Sequence, residues 1–179
     1  MSTSSLGKYY DQVKAGRVFH GVTAAAGTTY PLATGTAMTF GLWNINPNKN
    51  AVLLSLNMGF TSGTLALGEV GLTNKDAGYG LGTPISAFTD GVAAKNALIG
   101  QGQASSMRLT TSAATIAAGT PFYWTGLSAI TASTVSTIDW SHDFDGRVVV
   151  APGQAVFVVG SIAQTALFSI GLTWAEVDA

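Results

Sequence analysis

Apolar and polar residues alternate with a period of two along most of the chain, which is the pattern of half-buried β-strands. Between residues 51 and 60, for example, Val52, Leu54, Leu56 and Met58 fall on one face. Clusters of Gly, Pro, Asn and Ser separate the alternating segments and indicate turns. Together these signals predict strands over residues 15–23, 36–45, 51–60, 64–73, 107–111, 122–127, 135–140, 147–151, 155–161 and 165–177.

The number and spacing of these strands predict the fold class. About eight to ten short strands separated by turns are typical of an all-β protein, an antiparallel β-sandwich or barrel, and two sheets of this size favour a jelly roll. We therefore expect a single jelly-roll domain over residues 15–179, preceded by an N-terminal arm over residues 1–14. Residues 74–106 show little alternation and predict one long loop, which can hold a short helix within residues 89–98.

Two pairs of strands have the sequence features of hairpins. Thr61, Ser62 and Gly63 predict a tight turn that joins strands 51–60 and 64–73, and Pro152-Gly153 predicts a turn between 147–151 and 155–161. The strands over 155–161 and 165–177 are expected to lie at the centre of the fold. Much of the core should then come from Val148, Val150, Val156, Val158, Phe168, Ile170, Leu172 and Trp174.

The composition excludes several classes of function. Only 9% of the residues are charged and the net charge is −1, whereas nucleic-acid binding needs a dense basic face. The absence of cysteine excludes disulfides and thiolate metal sites. No apolar run reaches the roughly 18 residues of a membrane span, and residues 1–7 do not resemble a signal peptide. We therefore expect no nucleic-acid or membrane partner, and synthesis and use without export from the cytoplasm.

A surface with so few charges favours a protein that works within an assembly. Strand 36–45 strengthens this expectation, because Phe40 and Leu42 lie on one of its faces and Trp43 and Ile45 on the other. A homo-oligomer of closed symmetry can bury such patches. The sequence therefore predicts self-association.

Residues 139–146 contain the only dense group of acidic side chains in the sequence. Asp143-x-Asp145-Gly146 has the carboxylate spacing of a calcium loop, but no glutamate follows to complete the ligand set. The alternative is a turn between two strands in which the carboxylates accept backbone N–H bonds. We favour the turn and expect no metal and no cofactor.

The remaining chemistry does not indicate an enzyme. The histidines are His20 and His142, and His20, in the middle of a strand, is expected to be a hydrogen-bonded or an interface histidine. No Gly-x-Ser-x-Gly motif occurs, and Glu176 is expected to form a salt bridge rather than to act in glycoside hydrolysis. The four tryptophans offer either sugar-stacking platforms or, as we expect, core and subunit contacts. The gly-rich stretch over residues 78–82 is expected to be a loop.

Several segments resemble the jelly-roll cement or decoration proteins of tailed-phage capsids. They include a Trp43-Asn44-x-x-Pro47 turn before an apolar strand and a final strand ending in Thr173-Trp174-Ala175-Glu176. The other similar segments are residues 62–65, 98–105 and 152–155. The resemblance implies a jelly roll without catalysis, a homo-oligomer that is a trimer rather than a dimer, and the major capsid protein as partner. It also implies a place on the surface of the virion, where the protein stabilises the shell.

The capsid or subunit contacts are expected in the arm and in the long loop, where no core-forming pattern occurs. Tyr9, Tyr10, Tyr79 and Phe88 are the candidate anchors, because aromatic side chains supply much of the energy at interfaces. In the alternative arrangement, the arm is disordered and the loop packs on its own subunit. Two other functions remain as alternatives: a receptor- or carbohydrate-binding head module of a phage appendage, and an enzyme built on a β-sandwich.

Overall fold

Two antiparallel five-stranded sheets and one small two-stranded sheet make up the fold. The computed structural model describes residues 7–35, 37–66, 68–75, 94–100, 103–110, 114–115, 121–125 and 139–179. The elements are α1 (Tyr10–Lys14), β1 (Val18–Val22), β2 (Ala37–Met38), β3 (Gly41–Trp43), β4 (Lys49–Ser62), β5 (Val70–Lys75), β6 (Lys95–Asn96), β7 (Arg108–Thr110), β8 (Ala114–Thr115), β9 (Pro121–Trp124), β10 (Asp139–Val150), β11 (Ala155–Gly160) and β12 (Leu167–Asp178).

The strand order places the last two strands at the centre of the molecule. Sheet A has the order β10-β4-β12-β1-β6, and sheet B has the order β7-β3-β11-β5-β9. β12 and β11 are therefore the middle strands of the two sheets, as predicted. The all-β sandwich is confirmed, whereas the jelly-roll connectivity stays a prediction.

The main core fills the space between the two sheets. All eight residues predicted to form it are buried, and they pack with side chains from β1, β3, β4 and β5. The indole of Trp174 stacks on Phe19 with ring centroids 6.2 Å apart, and Phe168 contacts Tyr30 with centroids 5.2 Å apart. Alternation along β12 thus identifies its inner face correctly.

The outer face of β11 is covered by the chain itself. Phe157 and Val159 form a second buried cluster with Met38 and Trp43. Of the large apolar residues of the predicted strand 36–45, Phe40, Leu42 and Trp43 are therefore covered within the subunit, whereas Ile45 is 41% exposed. The strand is also divided, because Thr39 and Phe40 separate β2 from β3.

Both predicted hairpins are wrong, because each turn carries the chain from one sheet to the other. After β4 in sheet A, the chain enters sheet B as β5, which pairs with β11 and β9. In the connection between β4 and β5, Ala66 N donates to Gln164 Oε1 at 3.0 Å, and Gln164 Nε2 donates to Ala66 O at 2.6 Å. In the same way, the Pro152-Gly153 turn leads from β10 in sheet A to β11 in sheet B.

Helical structure occurs at the N-terminal end of the described chain. The single turn α1 lies within the segment predicted as the N-terminal arm. The helix expected within residues 89–98 is contradicted at Lys95 and Asn96, which form β6 and pair with β1, while residues 89–93 lie outside the described chain. Within the described ranges, no helix has the length and apolarity that crossing a membrane requires.

Candidate functional site

The N-terminal arm is fastened to the outer face of sheet A. Tyr9 and Val13 pack against a small apolar cluster that contains Val18, Leu54 and Ala175. The hydroxyl of Tyr9 also donates a 2.9 Å hydrogen bond to Asp143 Oδ1. Tyr9, which the sequence predicts as an intermolecular anchor, thus makes contacts within its own chain.

The other predicted anchors are placed differently. Tyr10 follows Tyr9 on α1, and its side chain is 42% exposed. Tyr79 and Phe88 lie outside the described residues. Of the two candidate anchors that the structure describes, Tyr10 is therefore the more exposed.

The acidic group over residues 139–146 lies within a strand and not in a turn between strands. β10 continues past it, and the register against β4 changes between Asp143, opposite Ser55, and Val148, opposite Leu53. Residues 144–147 therefore form a bulge opposite Leu54. Asp145 N donates to Asp143 Oδ1 at 2.8 Å, and Asp145 and Gly146 adopt left-handed φ values of 54° and 72°. The sequence thus predicted the backbone-capping role of the carboxylate correctly and the surrounding element wrongly.

A lysine provides the positive charge at these carboxylates. Lys8 Nζ lies 3.3 Å from Asp143 Oδ2 and also contacts Asp145 Oδ1. The hydrogen bond from Asp145 N lowers the pKa of Asp143, and the bonds from Tyr9 and Lys8 lower it further. Among the described residues, no three His, Asp or Glu side chains are grouped as metal ligands. The contacts of Lys8 and Tyr9 with these carboxylates join the arm to β10.

Both histidines make hydrogen bonds to neighbouring strands. His20 Nδ1 lies 2.9 Å from Thr173 Oγ1, as expected of a histidine within a strand, and burial lowers the pKa of His20. His142 Nε2 lies 3.1 Å from the hydroxyl of Tyr123 and so connects β10 in sheet A with β9 in sheet B. Burial lowers the pKa of His142, Arg147 lowers it further, and Asp143 opposes the shift.

Glu176 anchors a loop through its carboxylate. The hydroxyls of Ser105 and Ser106 donate to it at 2.5 and 2.6 Å, and Ser106 N donates at 3.0 Å. Lys49 Nζ lies 3.5 Å away, which confirms the predicted salt bridge. The side chain is buried among these partners, so it holds the loop that contains Ser105 and Ser106 against β12.

A groove runs along the side of the sandwich where β10 of sheet A faces sheet B. Its volume is about 320 Å³. It is lined from sheet B by Phe122 and Tyr123 of β9 and from sheet A by Val148, Val149 and Val150 of β10. The rest of the lining consists of Asn74, Arg147, Ala151, Gln154, Ala155 and Val156. We call it the edge groove.

Exposed aromatic side chains accompany the edge groove. Phe122 is 46% exposed, and Trp124, two residues further along β9, is 40% exposed. Of the other tryptophans, Trp43 and Trp174 are buried as expected, and Trp140 is half-buried and stacks on His142. The strand pattern singles out neither Phe122 nor Arg147. The one local signal is Asp145-Gly146, a pair that favours the left-handed backbone found just before Arg147.

Comparison with known proteins returned no family model, no curated protein and no solved structure that matches the chain.

Proposed function

We propose that this protein is a structural component of a viral particle, which binds the outside of the capsid shell and stabilises it. The observation that carries the proposal is the exposure of Ile99, which reaches 95% at the tip of the turn that follows β6. Burying an aliphatic side chain of this size against a partner stabilises a complex by about 1.5–3 kcal/mol. Tyr10 on α1 provides a second exposed large side chain, and we call Tyr10 and Ile99 the attachment pair.

The elements that carry the attachment pair are held firmly on the sandwich. The side-chain amide of Asn96 donates to Gly16 O at 2.8 Å and accepts from Leu98 N at 2.8 Å, so it connects the turn with the end of the arm. Ala97 packs against the apolar cluster under α1. Anchors that are ordered before binding lose less conformational entropy when they bind.

The low charge of the chain suits attachment through apolar contacts repeated by symmetry. We propose a homo-oligomer, a trimer rather than a dimer, of jelly-roll subunits, with the major capsid protein as partner. The trimer and the partner follow from the resemblance to cement proteins. Each subunit would present the same attachment pair, so every contact after the first would form at high effective concentration. The protein would be made in the cytoplasm and would act on the virion surface without catalysis.

Co-sedimentation with capsid shells that lack this protein tests the proposal. We expect the wild-type chain to sediment with the shells, and Ile99→Ser and Tyr10→Ser each to weaken binding by about tenfold. The matched control is Ile162→Ser, because Ile162 is also an exposed isoleucine, at 46%, and lies in the segment that precedes the first residue of β12, Leu167. Failure of the wild-type chain to sediment, or equal binding by the double variant Tyr10→Ser/Ile99→Ser, would overturn the proposal.

A further inference from the structure

We propose that the edge groove is a saccharide-binding site, with Phe122 as the stacking surface and Arg147 as the main hydrogen-bond donor. This inference rests on the groove alone and is independent of attachment to a shell. The two residues come from different sheets, since β9 belongs to sheet B and β10 to sheet A. Both line the same cavity of about 320 Å³, which is at the lower end of the range for small-molecule sites.

Irregularities in two strands bring these side chains to the groove. In β9, Pro121 lies opposite Thr73 and Tyr123 lies opposite Leu72, so Phe122 is the extra residue of a bulge. In β10, Arg147 is the last residue of the bulge formed by residues 144–147. Bulges redirect side chains and are frequent at sheet edges near functional sites. Two separate bulges thus place Phe122 and Arg147 in the lining of one cavity.

The guanidinium of Arg147 is oriented before any ligand binds. Nε donates to Phe144 O at 3.0 Å, and Nη2 donates to Asp143 O at 3.2 Å. These bonds use two of the five N–H donors that an arginine carries in a rigid plane. A donor group held in this way loses little rotamer freedom on binding.

The chemistry of the lining matches the two surfaces of a sugar ring. A pyranose has an apolar C–H face, which stacks on an aromatic ring, and a rim of hydroxyls that both donate and accept hydrogen bonds. The exposed ring of Phe122 and the adjacent valines suit the C–H face. Asn74 and Gln154 also line the groove, and their side-chain type combines donors with acceptors.

Charge narrows the class of ligand. Arg147 is the one Lys, Arg, Asp or Glu residue in the lining, so metal cations are disfavoured. A purely apolar ligand would remove from water the N–H donors of Arg147 that Phe144 O and Asp143 O do not satisfy, which is costly. A carboxylate instead pairs with arginine through two parallel hydrogen bonds. We therefore expect acidic saccharides to bind more tightly than neutral ones.

A printed array of neutral and acidic oligosaccharides, probed with the purified full chain, tests this inference. We expect acidic members to bind, and calorimetry on a bound member should show a loss of about tenfold or more in Phe122→Ala and in Arg147→Gln. Arg147→Lys keeps the charge but loses the planar fork, so it should also weaken binding. Ile162→Ala, exposed to the same extent as Phe122, is the matched control and should bind like wild type.

Folding of each variant is verified by its melting temperature, and Phe122→Ala is expected to fold because Phe122 is 46% exposed and belongs to none of the buried core clusters. Binding to no member of the array would overturn the inference. Equal binding by wild type and by folded Phe122→Ala would also overturn it. Neither result bears on co-sedimentation with shells, which tests the attachment pair separately.

Discussion

The hydroxyl of Tyr9 donates a 2.9 Å hydrogen bond to a carboxylate oxygen of Asp143, a residue 134 positions further along the chain. This bond joins the N-terminal arm to the bulge of β10, and Lys8 reinforces it through the same carboxylate. Lys8 and Tyr9 thus hold the described part of the arm against β10. The bulge serves two surfaces, since it holds the arm through Asp143 and directs Arg147 to the edge groove.

Removing the carboxylate of Asp143 should loosen the arm. Asp143→Ala deprives Tyr9 and Lys8 of a shared partner, so α1 should detach more often. The side chains of Lys14 and Arg17 are already exposed, and detachment should free the backbone beside them for cleavage by trypsin. Limited proteolysis with mass spectrometry measures the rate of cleavage at these sites. Asp178→Ala, at an exposed acidic residue at the end of β12, is the control. Equal cleavage rates in both variants would contradict the role of Asp143.

Stability should fall when the solution is acidified. Burial lowers the pKa of both His142 and His20, so the folded chain releases these protons at lower pH than the unfolded chain does. The unfolded state then binds more protons below the ordinary histidine pKa of about 6.5. The stability that depends on neutral histidines is complete above about pH 6.5 and is lost as pH falls through the folded-state pKa values.

Melting temperatures between about pH 5 and pH 8 check this sign. The wild-type chain should melt at a lower temperature at the acidic end of the range. The double variant His20→Asn/His142→Asn should show a flatter profile over the same range. A wild-type melting temperature that rises on acidification would show that protonated histidines are favoured by the fold.

Phe168 should be among the most sensitive positions of the core. Its ring is fully buried and contacts Tyr30 and Phe60, with ring centroids 5.2 and 6.1 Å away. Phe168→Ala should therefore lower the free energy of unfolding by about 3–5 kcal/mol. The same substitution at exposed Phe122 should change it by less than about 0.5 kcal/mol. Denaturant unfolding of the two variants measures the difference, and equal losses would contradict the assigned faces.

Glu176 should be the more important of the two glutamates. Glu176→Gln removes the charge that pairs with Lys49 and accepts bonds from Ser105 and Ser106, and hydrogen bonds to charged groups are worth about 1.5–3 kcal/mol. Glu69→Gln, at an exposed position, is the matched control. We expect the first variant alone to lower the midpoint of urea unfolding. A midpoint unchanged from wild type would rule out Glu176 as an anchor of the loop.

The sequence predicts strands well where one face is buried, and β12 shows why. Phe168, Ile170 and Leu172 alternate with residues of the outer face, so the period of two in the sequence follows directly from which side chains are buried. The alternation does not indicate which of the two sheets a strand joins. The turns after β4 and β10 therefore look like hairpin turns, although each leads to the opposite sheet.

The edge groove cannot be predicted from the alternation of apolar and polar residues. Phe122 and Arg147 owe their directions to residues inserted in β9 and β10, and an insertion interrupts alternation without marking its position. Tyr9 and Tyr10 were both predicted as anchors, because adjacent aromatic residues in an arm look alike. In the structure, Tyr9 is distinguished by its packing on the cluster that contains Leu54 and Ala175 and by its hydrogen bond to Asp143.

An electron-microscopic reconstruction of the native particle tests the proposed function most directly. We expect symmetry-related densities of the size of this sandwich on the outside of the shell, with Ile99 and Tyr10 directed toward the capsid protein. A particle whose outer densities are all accounted for by other proteins would contradict the proposal that this chain binds and stabilises the shell.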